Sequence, residues 1–184
     1  GHDVYGVEPF KEASIEANKN NIKTINSYFD TNLVKYFNKK FGQVDLICIN
    51  NLYANVENLD DFTSNCAALL KNEGCVVIES SYLFDMLRKN IFDFVYHEHL
   101  SYISISPLRK YLKNFGFRLL DLQISNSKGG SLRYIFKKSL KKNILSKRVT
   151  TLINKESRDY RNFFKIINNY KKNILELKIQ FNNF

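Results

Sequence analysis

The chain has 184 residues, of which 44% are apolar and 14% aromatic, so it has enough apolar side chains for a packed core. This composition excludes a wholly disordered or low-complexity protein. The formal net charge of +10 is unevenly distributed, because residues 1–99 carry 9 basic and 14 acidic side chains whereas residues 100–184 carry 19 and 4. The basic half could bind an anion, or it could be an ordinary solvated surface.

Neither a membrane span nor a secretory signal is expected. No apolar run approaches the roughly 20 residues that cross a bilayer, and the first residues, GHDVYGVEPF, lack the basic and apolar regions of a signal peptide. Cys48, Cys66 and Cys75 form no C-x-x-C motif and leave an odd count. We therefore expect buried thiols in a reducing cytoplasm, with neither a disulfide framework nor a zinc knuckle.

The first half of the chain alternates predicted strands and helices. Strands are predicted at residues 3–7, 22–25, 44–49 and 75–79, and helices at residues 11–20, 32–41 and 59–71, the last ended by Asn72-Glu73-Gly74. The run VDLICI at residues 44–49 is typical of a strand buried in a parallel sheet. Strands that alternate with helices of about a dozen residues predict a doubly wound α/β sheet.

The second half changes its pattern. A short helix is predicted at residues 82–90, an irregular segment at 91–106 and a helix from Pro107 to residue 115. Strands at residues 117–124 and 131–136 flank a Gly-Gly turn and predict an antiparallel hairpin at the sheet edge. From residue 137 onward the chain has no Gly or Pro, and apolar residues recur at spacings of three and four: Tyr160, Phe163, Ile167, Tyr170, Ile174, Leu177 and Phe181. We expect a helix docked on the body, with a coiled coil as the alternative.

Two sets of polar residues follow predicted strands. Glu8 ends the first strand, where an acid can accept the ribose hydroxyls of a cofactor, and Asn50 and Asn51 end the third, at the edge where such sheets bind ligands. Alternatively, the asparagines only cap a turn. No G-x-G-x-x-G or P-loop sequence accompanies these residues.

The segment Tyr96-His97-Glu98-His99 has four consecutive side chains that can take part in acid/base chemistry. An extended conformation would place Tyr96 and Glu98 on one side and the two imidazoles on the other. A phenol, a carboxylate and a histidine are the groups of an acid/base site. Zinc would need a third ligand, which the neighbourhood does not offer, so no metal is expected. A structural histidine pair in a loop is the remaining alternative.

Several stretches in collinear order resemble one family. They are GVEP at residues 6–9, INNLYANVENLDDF at 49–62, VVIESSYL at 76–83, FDFVYHEHLSYISISPL at 92–108 and KGGSLRY at 128–134. Together they are similar to the S-adenosylmethionine-dependent C-methyltransferases that act on nucleotide-linked 4-keto-deoxysugars. YHEHLSYIS and GGSLR are specific to this family, whereas GVEP is common to class I methyltransferases.

The resemblance implies a Rossmann-like class I methyltransferase core with S-adenosylmethionine as cofactor and a nucleotide-sugar as substrate. Glu8 would hold the cofactor ribose, and Asn50 and Asn51 would approach its methionine end. The hypothesis makes His99, oriented by Glu98, the base, and Tyr96 its partner or a donor to the carbonyl oxygen. The residues expected near the substrate are Tyr82, Lys128, Gly129, Gly130, Ser131 and Arg133.

Two positions depart from the family pattern. Asn55 in NNLYANV replaces a common histidine and cannot act as an acid or base. Lys128 replaces the histidine of a His-Gly-Gly sequence, and as a hypothesis it could hold a phosphate or polarise a carbonyl.

The resemblance also predicts the domain organisation. Residues 1–136 would form part of an S-adenosylmethionine-binding domain, and residues 137–184 a basic helical linker toward a C-terminal domain. An N-terminal zinc domain and the glycine-rich loop would precede residue 1, so we expect an internal fragment that is inactive alone. The alternatives are an O- or N-methyltransferase on the same core, and a non-catalytic basic module that binds nucleic acid or an acidic partner. Nucleic acid is not expected, because few aromatic residues of the tail lie outside the apolar stripe.

Overall fold

The computed structural model describes residues 1–126, 129–139, 141 and 144–183. The strands are β1 (Gly6–Glu8), β2 (Thr24–Asn26), β3 (Val44–Asn50), β4 (Leu70–Ser81), β5 (Phe117–Ser125) and β6 (Ser131–Lys138). The helices are α1 (Lys11–Lys19), α2 (Thr31–Phe41), α3 (Leu59–Leu69), α4 (Leu83–Arg88), α5 (Ile105–Lys113), α6 (Lys147–Arg161) and α7 (Phe163–Asn182), with a 3₁₀ turn at Tyr53–Asn55. None of the described helices is both long and apolar enough to cross a bilayer.

The strands form two sheets. β1 and β2 pair in parallel, and a four-stranded sheet has the order β3-β4-β6-β5. β3 and β4 are parallel, whereas β6 is antiparallel to both β4 and β5. The predicted α/β architecture and the hairpin late in the sheet are confirmed, with β5 as the edge strand and β6 inserted beside β4.

A small apolar cluster joins the two sheets through α2. Val34 and Phe37 of α2 are buried members of this cluster. Tyr5, Ile25 and Ile47 are partly buried and pack against it. The Asp30 side chain accepts a hydrogen bond from the Leu33 backbone N–H at 2.8 Å and so caps α2. The main core lies on the four-stranded sheet and is formed by residues such as Leu70, Ile78, Phe84, Leu112, Tyr134 and Phe136.

β3 is less buried than its apolar sequence predicts. Ile49 is 4% exposed, but Leu46 is 54% exposed and Cys48 is also exposed. Successive side chains of a strand point to opposite faces, so Leu46 and Cys48 share an exposed face of β3, whereas Ile47 and Ile49 share the face that packs on the protein. The expectation of three buried thiols was therefore wrong for Cys48, while Cys66 is buried and Cys75 is intermediate.

Two predicted boundaries were also wrong. Asn72-Glu73-Gly74 do not end a helix: α3 stops at Leu69, and these residues lie within β4, where a register shift against β3 accommodates them. α5 begins at Ile105 rather than at Pro107. Proline is tolerated there because the first-turn N–H groups have no partner within the helix.

The C-terminal tail forms two helices instead of one. α6 ends at Arg161 and α7 begins at Phe163. α6 buries Val149 and Glu156 completely. α7 is partly buried as far as Ile174 and exposed beyond it. The apolar stripe therefore docks on the body through its first part, whereas its last members, Leu177 and Phe181, are exposed.

Thiol reactivity tests the exposure of β3. Burial raises the pKa of Cys66 to about 12, so at pH 8 roughly one molecule in ten thousand carries this thiolate. In the 184-residue chain we expect Cys48 to react rapidly with a disulfide reagent at pH 8 and Cys66 to react only after unfolding. The variant Cys48→Ala should lose the fast phase, and a fast phase that persists would contradict the structure.

Candidate functional site

The carboxyl end of β3 brings polar groups to one edge of the sheet. Asn50 of β3 lies opposite Glu79 of β4 in the parallel register. Asn51 follows with a positive φ of 54°, a conformation that Asn adopts more readily than most residues. Its backbone N–H donates to the Glu79 carbonyl at 2.8 Å. The chain therefore turns sharply at this edge and enters the 3₁₀ turn.

The segment with the two histidines docks against this 3₁₀ turn. The Ala54 carbonyl accepts hydrogen bonds from the backbone N–H groups of Leu100 (2.9 Å) and Ser101 (3.0 Å). We refer to residues 91–104 as the histidine loop. Its docking on Ala54, four residues after Asn50, places the loop beside the edge at which β3 ends.

His99 is held in a defined tautomer. Its Nδ1 lies 2.8 Å from the Phe94 carbonyl oxygen. A carbonyl can only accept, so Nδ1 carries the proton and Nε2 of the neutral ring is the acceptor. The Tyr96 hydroxyl donates to this Nε2 at 3.3 Å, a long hydrogen bond. His99 Nε2 is therefore the basic nitrogen of the ring, and the Tyr96 hydroxyl beside it is held only by a long hydrogen bond.

The local backbone explains this pairing and corrects the expectation of an extended segment. The His99 N–H donates to the Tyr96 carbonyl at 3.1 Å, which closes a turn. The turn brings the Tyr96 and His99 rings to a centroid distance of 4.4 Å. Alternation along a strand would have kept the two rings on opposite sides.

Glu98 and His97 do not contact the His99 ring, although the His97 ring lies edge-on to that of Tyr96 at a centroid distance of 6.2 Å. Both are exposed, and within the described part of the chain neither side chain makes a hydrogen bond or ion pair. In this structure the Phe94 carbonyl and Tyr96 provide the contacts that orient His99, and the catalytic role of Glu98 stays a prediction. A backbone carbonyl leaves no signal in the sequence, which is why residue-type reasoning missed it.

An ion pair extends the polar edge to β6. Arg133 donates to Glu79 Oε2 through Nη2 at 2.7 Å and through Nε at 3.0 Å. Glu79 is 7% exposed, whereas the Arg133 side chain is 44% exposed and reaches solvent. Arg133 thus lies at this edge with its charge paired, and its predicted contact with a substrate stays a prediction. Sequence reasoning did not select Glu79, although an acid at the end of a strand was the signal used for Glu8.

The Gly-Gly turn before β6 packs against the protein itself. Gly129 and Gly130 have φ values of 75° and 142°, and a Cβ on Gly129 would lie 2.4 Å from Ile91 Cδ1. Ser131 is 1% exposed. Lys128 lies outside the described residues. The two glycines therefore have a structural reason to be present, and their predicted contact with a substrate stays a prediction.

Tyr82 directly follows β4, but its side chain is buried in the protein. Its side chain is 7% exposed, and its hydroxyl donates to Glu156 of α6 at 3.1 Å. Burial and the neighbouring Glu156 carboxylate raise the pKa of Tyr82 well above its usual value. The predicted contact between Tyr82 and a substrate stays a prediction, and in this structure the hydroxyl is used in the interior by Glu156.

Glu8 and Asn55 offer acceptors that the protein leaves unused. Glu8 Oε1 accepts from the Phe10 N–H at 2.9 Å, while Oε2 has no partner among the described residues. The Asn55 Oδ1 is buried without a hydrogen-bond partner in the same part of the chain. A free carboxylate oxygen at the end of β1 fits the hydroxyl groups of a ribose. No three His, Cys, Asp or Glu side chains cluster as a metal site would require in the described ranges.

Comparison with known proteins identifies the class of this chain. Residues 1–122 match the family model described as a methyltransferase domain. The chain belongs to this family of methyltransferase domains. Membership supports S-adenosylmethionine as the cofactor, and the fold is that of structures solved with this cofactor or its product.

Particular relatives refine the comparison. The chain is 28% identical over 132 residues to the C-methyltransferase NovU of Streptomyces niveus. The aligned segment covers 72% of this chain and 31% of that protein. It therefore spans about a third of the length of this curated relative.

Two solved structures share the fold at low identity. The magnesium protoporphyrin IX methyltransferase (ChlM) of Synechocystis PCC 6803 with bound SAH has a TM-score of 0.56 at 14% identity, over 76% of this chain and 65% of that one. The N-methyltransferase NodS of Bradyrhizobium japonicum WM9 has a TM-score of 0.50 at 12% identity, over 73% and 72% of the two chains. These likenesses concern the fold alone.

The close packing of the Gly-Gly turn can be tested by a matched pair of variants. Gly116 has a φ of 82°, but a Cβ there would meet no atom within 4 Å. Gly116→Ala should cost about 1 kcal/mol of unfolding free energy through the backbone alone. Gly129→Ala should cost roughly 1–2 kcal/mol more, because Ile91 must also move. Equal losses in urea unfolding would show that the contact with Ile91 is unimportant.

Proposed function

We propose that these residues form part of an S-adenosylmethionine-dependent C-methyltransferase whose substrate is a nucleotide-linked deoxysugar with a ketone. The methylated carbon is the one next to that ketone. Support comes from the similarity to the C-methyltransferase NovU and from the sequence motifs in the histidine loop and the β6 region. The observation that carries the proposal is the tautomer of His99, in which Nδ1 carries the proton and Nε2 is the acceptor.

The chemistry requires a base and an oxyanion donor from the protein. S-adenosylmethionine, when bound, supplies a methyl group that is already electrophilic. A sugar carbon next to a ketone is not a nucleophile until it loses a proton. The carbonyl must then accept the electron pair, and a positioned donor stabilises the oxygen on which negative charge develops.

His99 and Tyr96 match these two requirements. His99 Nε2 accepts the proton from the carbon, the C–H electron pair becomes the carbon–carbon double bond, and the π pair of the carbonyl moves to its oxygen to form an enolate. Protonation at Nε2 ends its role as acceptor for the Tyr96 hydroxyl. Because that hydrogen bond is 3.3 Å long, the hydroxyl is easily redirected to the substrate oxygen, where it stabilises the enolate.

The other predicted site residues would bind rather than react. Glu8 Oε2 would accept a ribose hydroxyl, and Asn50 and Asn51 would offer amide groups to the polar end of the cofactor. Arg133, held by Glu79 and half exposed, would face the anionic nucleotide. A general base accounts for about 10²- to 10⁴-fold of a typical rate enhancement, so loss of His99 should leave binding intact and slow proton removal.

Solvent exchange of the substrate proton separates the roles of the two histidines. In the full protein, a nucleoside diphosphate-linked 4-keto-deoxyhexose deuterated next to the ketone should lose deuterium to water. His99→Asn retains an amide at the Nδ1 level but has no group at the Nε2 position, and it should exchange at least about 100-fold more slowly. His97→Asn is the matched control and should exchange within about twofold of the wild-type protein.

The same experiment tests the alternative chemistry. Methyl transfer to oxygen or nitrogen does not require a carbon base. Methyl transfer without deuterium loss would therefore contradict C-methylation, and wild-type exchange in His99→Asn would remove His99 from the role of base. Retained binding of S-adenosylmethionine by His99→Asn, measured by calorimetry, establishes that the variant is folded.

A further inference from the structure

The histidine loop depends on contacts from outside itself. Residues 91–104 contain no helix or strand apart from the single bridge between Tyr82 and Ile103. Within the loop, the described hydrogen bonds are those of two turns and the contacts of His99 with Phe94 and with Tyr96. A segment of this length without regular structure keeps one conformation only when its ends are fixed by neighbouring elements.

The C-terminal end of the loop is fixed by α6. Glu156 has 0% exposure, and its carboxylate accepts hydrogen bonds from the backbone N–H groups of Ile105 (2.6 Å) and Ser106 (2.7 Å). These N–H groups belong to the first turn of α5, where a negative charge is favourable. The Ser104 hydroxyl does not cap the helix; it lies 2.5 Å from the Tyr160 hydroxyl of α6. α6 therefore caps α5 at the point where the loop ends.

The N-terminal end of the loop is fixed by α7. The Tyr170 hydroxyl donates to the Ile91 carbonyl at 3.1 Å. Asn173 Nδ2 donates to Asn90 Oδ1 at the same distance. Asn90 has a positive φ of 55°, so the chain bends sharply just where these contacts act. The two C-terminal helices thus hold both ends of the loop, and Ala54 holds its middle.

We propose that α6 and α7 position the histidine loop for proton transfer, with Glu156 and Tyr170 as positioning residues that act through His99. This inference rests on the proposed function of His99. The helices also dock through contacts that do not touch the loop, such as the ion pair of Arg148 with Asp121 of β5. Different variants can therefore separate the positioning of the histidine loop from the docking of α6 and α7 on the rest of the protein.

Three variants in the full protein test the proposal. Glu156→Gln keeps the size of the side chain but replaces one acceptor oxygen by an amide donor, so one N–H of the α5 terminus loses its partner. Tyr170→Phe removes a single hydroxyl. Arg148→Gln breaks a contact of α6 that lies away from the loop and is the control. Hydrogen exchange of residues 91–104 is measured for each, together with kcat and the KM for S-adenosylmethionine, using a nucleoside diphosphate-linked 4-keto-deoxyhexose as methyl acceptor.

We expect loop exchange to be about tenfold faster and kcat about tenfold lower in Glu156→Gln, with smaller changes of the same kind in Tyr170→Phe. The KM for S-adenosylmethionine should stay within about twofold in both variants, because the two ends of the histidine loop are not part of the sheet edge that we propose binds the cofactor. Arg148→Gln should lower the unfolding midpoint while loop exchange and kcat remain those of the wild-type protein.

Wild-type loop exchange in folded Glu156→Gln and Tyr170→Phe would overturn the proposal, as would faster exchange without a loss of kcat. If Glu156→Gln does not fold, Tyr170→Phe decides by the same two measurements. If the wild-type protein transfers no methyl group, the proposed function fails, and the exchange rates alone decide whether the helices hold the loop.

Discussion

The buried carboxylate of Glu156 constrains the arrangement of the second half of the chain. A carboxylate withdrawn from water costs several kcal/mol unless donors replace its hydration. Two backbone N–H groups of α5 and the Tyr82 hydroxyl provide those donors. Because they come from α5 and from the end of β4, the satisfied carboxylate joins α6 to both elements. The loop between α4 and α5 is thereby closed at a fixed point.

The sheet provides the second constraint, because its geometry gathers polar groups at one edge. β3 and β4 are parallel, so Asn50 and Glu79 end side by side. β6 runs the other way and begins at the same edge, which brings Arg133 to Glu79. The histidine loop reaches this edge through the Ala54 carbonyl. The candidate site is thus built by rigid strands and completed by an irregular segment that other elements hold.

The spacing of apolar residues along the sequence predicted the order and type of most helices and strands, including α2 and the hairpin of β5 and β6. These elements depend on local sequence patterns. Such patterns failed where tertiary contacts decide. Asn72-Glu73-Gly74 form a bulge inside β4, because Leu70 and Cys75 pair with Val44 and Leu46, which are only two residues apart in β3. Cys48 is exposed because it lies, with Leu46, on the exposed face of β3. The residue types of the site were predictable, but the tautomer of His99 was not, since a backbone carbonyl fixes it. The hydrogen bond between Tyr82 and Glu156 joins residues far apart in sequence, and no local sequence pattern predicts it.

The tautomer of His99 can be measured directly, since the chain contains three histidines. Long-range ¹H–¹⁵N spectra of the imidazoles, assigned with the variants of His97 and His99, distinguish the two neutral forms at a pH where the rings are uncharged. The account predicts that His99 carries its proton on Nδ1, with Nε2 as the acceptor, whereas the exposed His97 shows no such fixed form. A His99 ring protonated on Nε2 would contradict the hydrogen bond to Phe94 and, with it, the assignment of Nε2 as the base.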